Sequence, residues 1–66
     1  MQVTINGETK NLEKSLTVQM LLESLQLDVR KVAIERNLEI IPKSTYAEVT
    51  VNEGDRLEIV QFMGGG

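Results

Sequence analysis

Leu57-Glu58-Ile59-Val60-Gln61-Phe62 is the most apolar strand-like run of the chain, and it passes without a linker into Met63-Gly64-Gly65-Gly66. A strand this apolar belongs in the middle of a sheet, where neighbours cover both edges. Three glycines beyond it make a spacer without side chains, able to enter a channel too narrow for other residues. Extended, the last four residues reach roughly 13 Å.

Working back from that strand, the N-terminus offers it a partner. Met1, Val3 and Ile5 alternate with Gln2, Thr4 and Asn6, the period of a half-buried strand. Asn6-Gly7 is a strong hairpin signal, because a type I′ turn needs positive φ at both central residues. Glu8 to Leu12 returns as a polar strand whose lysine suits a sheet edge.

The period then changes to that of a helix. Val18, Leu21, Leu22 and Leu25 fall at i, i+3, i+4 and i+7. Thr17 is a good N-cap, and Leu16 is placed to staple onto Leu21. Val32-Ala33-Ile34-Glu35 reads as another strand, Asn37 as a turn, and Ile40-Ile41 as a short run halted by Pro42. Ser44 to Ala47 is expected to form one helical turn, and Asn52-Glu53-Gly54-Asp55 a tight turn.

One helix must therefore cover one face of a mixed sheet of four to five strands, with the last strand central beside the first. The expected fold is α+β, a β-grasp. Residues 1–62 are expected to form the single domain and residues 63–66 a flexible glycine-rich tail.

Composition removes most other functions. The chain has 66 residues, a net charge of −3 and 41% hydrophobic content. A domain of this size buries only about 60% of its unfolded surface, so a well-patterned core must hold it. The acidic balance and scattered Lys and Arg argue against nucleic acid. No run is long and apolar enough for a membrane span. Met1-Gln2-Val3-Thr4 lacks the basic and apolar regions of a signal peptide, so a cytoplasmic location is expected.

With no Cys and no His, the chain has no thiolate, no imidazole base and no Ser-His-Asp triad. No glycine-rich loop precedes a helix, so ATP has no phosphate cradle. Glu53, Asp55 and Glu58 lack calcium-loop spacing and read as a solvated turn and strand face. Neither a catalytic residue nor a metal ligand is expected.

The α-carboxylate of Gly66 remains. It is an anion at neutral pH and a poor electrophile until it carries a leaving group. Adenylation by ATP supplies one, but nothing in this chain is expected to bind ATP or any other cofactor, so that chemistry would be a partner's. A terminal Gly-Gly arises by chance in roughly one chain in two hundred. Its direct attachment to a central strand makes the signal stronger than composition alone.

The pleat of the last strand offers a docking surface. If Leu57 and Ile59 face the core, then Glu58, Val60 and Phe62 face outward, beside Ala33 and Glu35 of the neighbouring strand. Exposed Val60 and Phe62 beside the tail would mark a partner site. The competing expectation is that Phe62 curls back over the edge of the core.

Val32-Ala33-Ile34-Glu35-Arg36-Asn37, Glu39-Ile40-Ile41-Pro42-Lys43 and the fourteen residues from Glu53 to Gly66 resemble the sulfur carrier family of bacterial thiazole (thiamine) biosynthesis. The likeness covers essentially the whole chain and implies a ubiquitin-like β-grasp. It implies that an adenylyltransferase resembling ubiquitin-activating enzymes activates Gly66. Sulfur from a relay such as a cysteine desulfurase then gives a thiocarboxylate, and thiazole synthase takes that sulfur. On this likeness, Gly66 would carry the sulfur, Gly64 and Gly65 would thread the partner's channel, and Val60, Phe62 and Glu58 would dock. Leu38 stands where the family often has glycine, and Gln61 where histidine is common. The alternatives are a molybdopterin-synthase-type carrier subunit, a ubiquitin-like protein modifier that joins Gly66 to a lysine, and an interaction module with an incidental tail.

Overall fold

The computed structural model describes residues 1–62. β1 (Gln2–Ile5) and β2 (Glu8–Asn11) form the N-terminal hairpin, in register from Gln2 opposite Asn11 to Ile5 opposite Glu8. Asn6 (φ 50°) and Gly7 (φ 83°) make the turn with two left-handed residues, as the Asn-Gly pair predicts. β2 is exposed throughout and lies at the sheet edge.

α1 (Val18–Ser24) begins where Thr17 Oγ1 accepts from the Met20 amide at 3.1 Å, and it buries Val18, Leu21 and Leu22. The apolar stripe extends to Leu25, but the helix stops one residue earlier. Gln26 (φ 61°) reverses the chain in a left-handed conformation, with Gln26 N donating to Glu23 O and Leu27 N to Leu22 O. This is a Schellman closure, with glutamine in the place glycine prefers.

A 3₁₀ turn (Val29–Lys31), capped by Asp28, leads into β3 (Val32–Arg36). β4 (Glu39–Ile40) pairs with it through the two-residue turn Asn37-Leu38, where φ is 52° and 74°. The next helical turn is 3₁₀ and covers Lys43–Thr45, starting one residue before the expected Ser44 and ending two before Ala47, because Pro42 with its fixed φ starts it. Thr50 then bridges Thr17, tying this connection to the start of α1.

β5 (Arg56–Gln61) closes a five-stranded sheet of order β2-β1-β5-β3-β4. It runs parallel to β1 and antiparallel to β3, the expected central place for the most apolar strand. α1 and the sheet enclose Val3, Ile5, Val18, Leu21, Leu22, Val32, Ile34, Ile41, Tyr46, Val51 and Leu57. The mixed sheet with its single α-helix is a β-grasp. Among the described residues, no helix is long and apolar enough to cross a membrane.

Asp55 departs from the solvated-turn expectation. It is only 7% exposed, and its carboxylate accepts from the Asn52 amide at 2.8 Å and Asn37 Nδ2 at 3.3 Å. Arg36 lies 3.7 Å away. Asn37 also exchanges bonds with Arg56, through its own amide and its Oδ1, so this knot ties the β3–β4 turn to the start of β5. Buried carboxylates require such partners.

Candidate functional site

β5 divides its side chains between two worlds. Leu57 is fully buried and Ile59 packs on the core, while Glu58, Val60 and Phe62 face outward. Val60 is 58% and Phe62 50% exposed. In register across the strands, Glu35 lies opposite Glu58 and Ala33 opposite Val60. Ile40, 67% exposed, stands beside Glu35 from β4. Ala33, Glu35, Ile40, Glu58, Val60 and Phe62 line an open depression of about 440 Å³ on the face away from α1.

Phe62 does not curl back over the core. Its amide donates to Lys31 O at 2.7 Å, continuing the β3–β5 ladder by one rung. Lys43 Nζ sits 5.6 Å from the ring centroid and donates to Arg30 O at 3.0 Å. At that distance the ammonium meets the negative ring face, a contact worth about 0.5–1 kcal/mol at an exposed site. The end of β5 is thus held on its β3 side by a main-chain bond and a cation.

The face is apolar with an acidic flank. Glu35 and Glu58 oppose each other, and neither has an ion-pair partner among the described residues. Like charges directly opposite destabilise a strand pair. Nearby, Arg30 brackets Asp28 through Nε and a terminal nitrogen, and holds its carboxyl down to about 2.

The sequence-predicted docking residues Glu58, Val60 and Phe62 therefore lie together on one exposed face. Gly64, Gly65 and Gly66 lie outside the described residues. Ile40 was missed as a member of this face, although its cross-strand place opposite Glu35 follows once the Asn37-Leu38 turn is fixed. Lys43 was also missed, because its approach to Phe62 depends on the 3₁₀ turn after Pro42. A second depression, of about 520 Å³, includes Arg36, Asn37, Asn52 and Asp55 in its wall, residues already engaged with one another. Among the described residues, no cluster of His, Cys, Asp and Glu could hold a metal ion.

The ThiS family model matches residues 3–66. A sulfur carrier protein ThiS from Bacillus subtilis is 46% identical over 63 residues, covering 94% of this chain and 96% of that one. This chain belongs to the ThiS family. The crystal structure of a thiamine biosynthesis protein, ThiS, from Geobacter metallireducens superposes with a TM-score of 0.86 at 35% identity, covering all of both chains. A thiazole synthase from Paramagnetospirillum magneticum is 62% identical over all 66 residues, and the chain spans about a fifth of that protein's length (20%). ThiS membership accords with the β-grasp and with the glycine ending, since the match runs through Gly66.

Proposed function

We propose that this chain is the sulfur carrier for thiazole formation in thiamine biosynthesis, with the Gly66 carboxylate as the atom group that is modified. The observation that supports this reading is the family match over residues 3–66, a span that includes Gly64, Gly65 and Gly66. The absence of Cys and His supports a co-substrate rather than a catalyst.

The chemistry follows from the carboxylate. A partner adenylyltransferase, using ATP and Mg, joins the Gly66 carboxylate to the α-phosphate and releases pyrophosphate. The terminal sulfur of a persulfide, supplied by a cysteine desulfurase relay, then attacks the acyl carbon, and AMP departs with the bonding electrons. A thiol cleaves the resulting acyl disulfide and leaves the thiocarboxylate. Thiazole synthase is the proposed acceptor, a reading supported by relatives of that name whose sequence contains a stretch similar to the whole of this chain. The cytoplasm suits this thiol chemistry.

Val60, Phe62 and Glu58 are proposed to dock against the partner while Gly64 and Gly65 thread its channel. The opposed Glu35–Glu58 pair supports that role, because a charge arrangement unfavourable in the free domain gains from a cationic partner.

The test is incubation with the adenylating enzyme, ATP and a sulfur donor, followed by isolation of the C-terminal fragment. Exchange of oxygen for sulfur adds nearly the same mass as oxidation of Met1, Met20 or Met63, so the thiocarboxylate is trapped with an alkylating reagent. A labelled Gly66 fragment is expected, and an unmodified one under active turnover would overturn the reading. Higher-mass adducts that survive thiol would favour a protein modifier instead.

A further inference from the structure

The two edges of β5 are not closed equally. Toward β3, the ladder is complete to the end of the described chain: Asn37 N donates to Arg56 O, and Phe62 N donates to Lys31 O. Even-numbered residues of β5 therefore turn their main-chain groups toward β3, and odd-numbered residues turn theirs toward β1. On the β1 side, Thr4 N donates to Asp55 O and Asn6 N to Leu57 O. The backbone then swings away at Gly7. The Asn6 side chain fills the next rung, its Oδ1 accepting from Ile59 N at 2.7 Å and its Nδ2 donating to Ile59 O at 3.2 Å.

Gln61 is the following rung. Its N–H and C=O face the β1 side, and no partner for either exists among the described residues. Gln61 is exposed. A strand edge with free main-chain groups is a template for an added strand. In the sequence, Gln61 stands two residues before Met63-Gly64-Gly65-Gly66. A glycine segment offers a partner no side chains, so its recognition must run through main-chain hydrogen bonds.

We propose that the adenylating partner adds an extended main-chain segment to β5 on its β1 side, beginning at Gln61, with the Asn6 amide as the stop that sets the first available rung. This rests on the sulfur-carrier reading and names how that carrier is grasped. The occupant is an extended peptide of the partner, pairing with the Gln61 N–H and C=O. The outer face bearing Val60 and Phe62 adjoins this edge, so one partner can cover both.

The native chain allows a direct test. Amide exchange at Gln61 is followed by NMR in the isotopically labelled protein, free and saturated with the adenylating enzyme. Exchange is expected to be fast in the free protein and slowed at least about tenfold in the complex. Unchanged exchange at Gln61, in a complex that still yields the Gly66 thiocarboxylate, overturns this inference and leaves the carrier function standing. Failure of the native chain to be activated at all overturns both.

A variant pair sharpens the test. Gln61→Pro removes the side chain together with an N–H that faces away from β3, at a position where proline is tolerated because that N–H makes no ladder bond. Gln61→Ala removes the side chain and keeps that N–H. The expected result is a KM for the carrier raised about three- to tenfold by proline, the worth of one main-chain hydrogen bond, and within about twofold of native for alanine. The free variants are compared by thermal unfolding, and equal KM values for the two folded proteins would overturn the proposal.

Discussion

The two faces of β5 obey opposite rules although their residues alternate along one strand. Leu57 belongs to the buried core and Ile59 packs against it, whereas Glu58, Val60 and Phe62 carry apolar surface and charge into solvent. A domain of this size has little apolar surface to leave uncovered. Val60, Phe62 and Ile40 nevertheless stay exposed together on one face, which is the observation behind the proposed docking role. The difference teaches that strand alternation alone separates residues that hold the fold from those that present it.

The strongest way to break that comparison is to truncate one residue on each face. Leu57→Ala removes a fully buried side chain and is expected to cost about 2–5 kcal/mol, measured by urea unfolding. Phe62→Ala, half-exposed, is expected to cost about 1 kcal/mol or less, yet to weaken binding of the adenylating partner at least about tenfold, as interface aromatics do. Equal losses of stability, with partner binding untouched by Phe62→Ala, would remove the distinction between the faces.

How much of this was legible follows the same division. Periodicity located the hairpin, α1 and β5, because burial of one face forces a repeat of two or 3.6 residues. It also placed Glu58, Val60 and Phe62 on one side. It did not reveal that Asp55 is buried, since its partners Asn37 and Asn52 come together only after β3 and β5 pair. Nor did it show Lys43 over Phe62, or the Asn6 amide acting as a rung of the ladder. Those are tertiary facts carried by polar residues, whose sequence pattern resembles that of any loop.

A smaller effect sharpens a second contrast, between the two hairpin turns. Both use two left-handed residues, Asn6-Gly7 and Asn37-Leu38. Asn and Gly visit that region readily, whereas a leucine there costs roughly 1–2 kcal/mol, and Leu38 recovers little since it is 81% exposed. Leu38→Gly is therefore expected to stabilise the domain by about 1 kcal/mol, the relief of strain exceeding the added entropy of the unfolded chain. A thermal unfolding midpoint that falls would show that Leu38 has a packing role that outweighs its backbone strain. Tyr46→Phe addresses the core in the same way. The Tyr46 hydroxyl is buried without a hydrogen-bond partner that meets normal geometry, and burial pushes its pKa up. Its removal is expected to be neutral or stabilising, by up to about 1 kcal/mol in the same measurement.

The smallest expected effect concerns acid, and it separates the carboxylates by their surroundings. Hydrogen bonds from the Arg30 side chain, then from its backbone amide, hold the Asp28 carboxyl down to about 2 from 3.8. The folded protein thus keeps this group ionised where the unfolded chain has begun to protonate it. The native state binds fewer protons between those values, so its stability rises with pH there. The contribution is complete above about 4 and is lost as pH falls through about 2. Asp28 also caps the 3₁₀ turn that leads into β3, next to Lys31, whose carbonyl receives the Phe62 amide. Asp28→Asn keeps an oxygen for the Arg30 amide but cannot titrate. The difference in unfolding midpoint between the native chain and this variant should shrink as the pH is lowered from 4 to 2. A constant difference across that range would mean that the Asp28–Arg30 pair, exposed as it is, adds nothing to the turn that leads into β3.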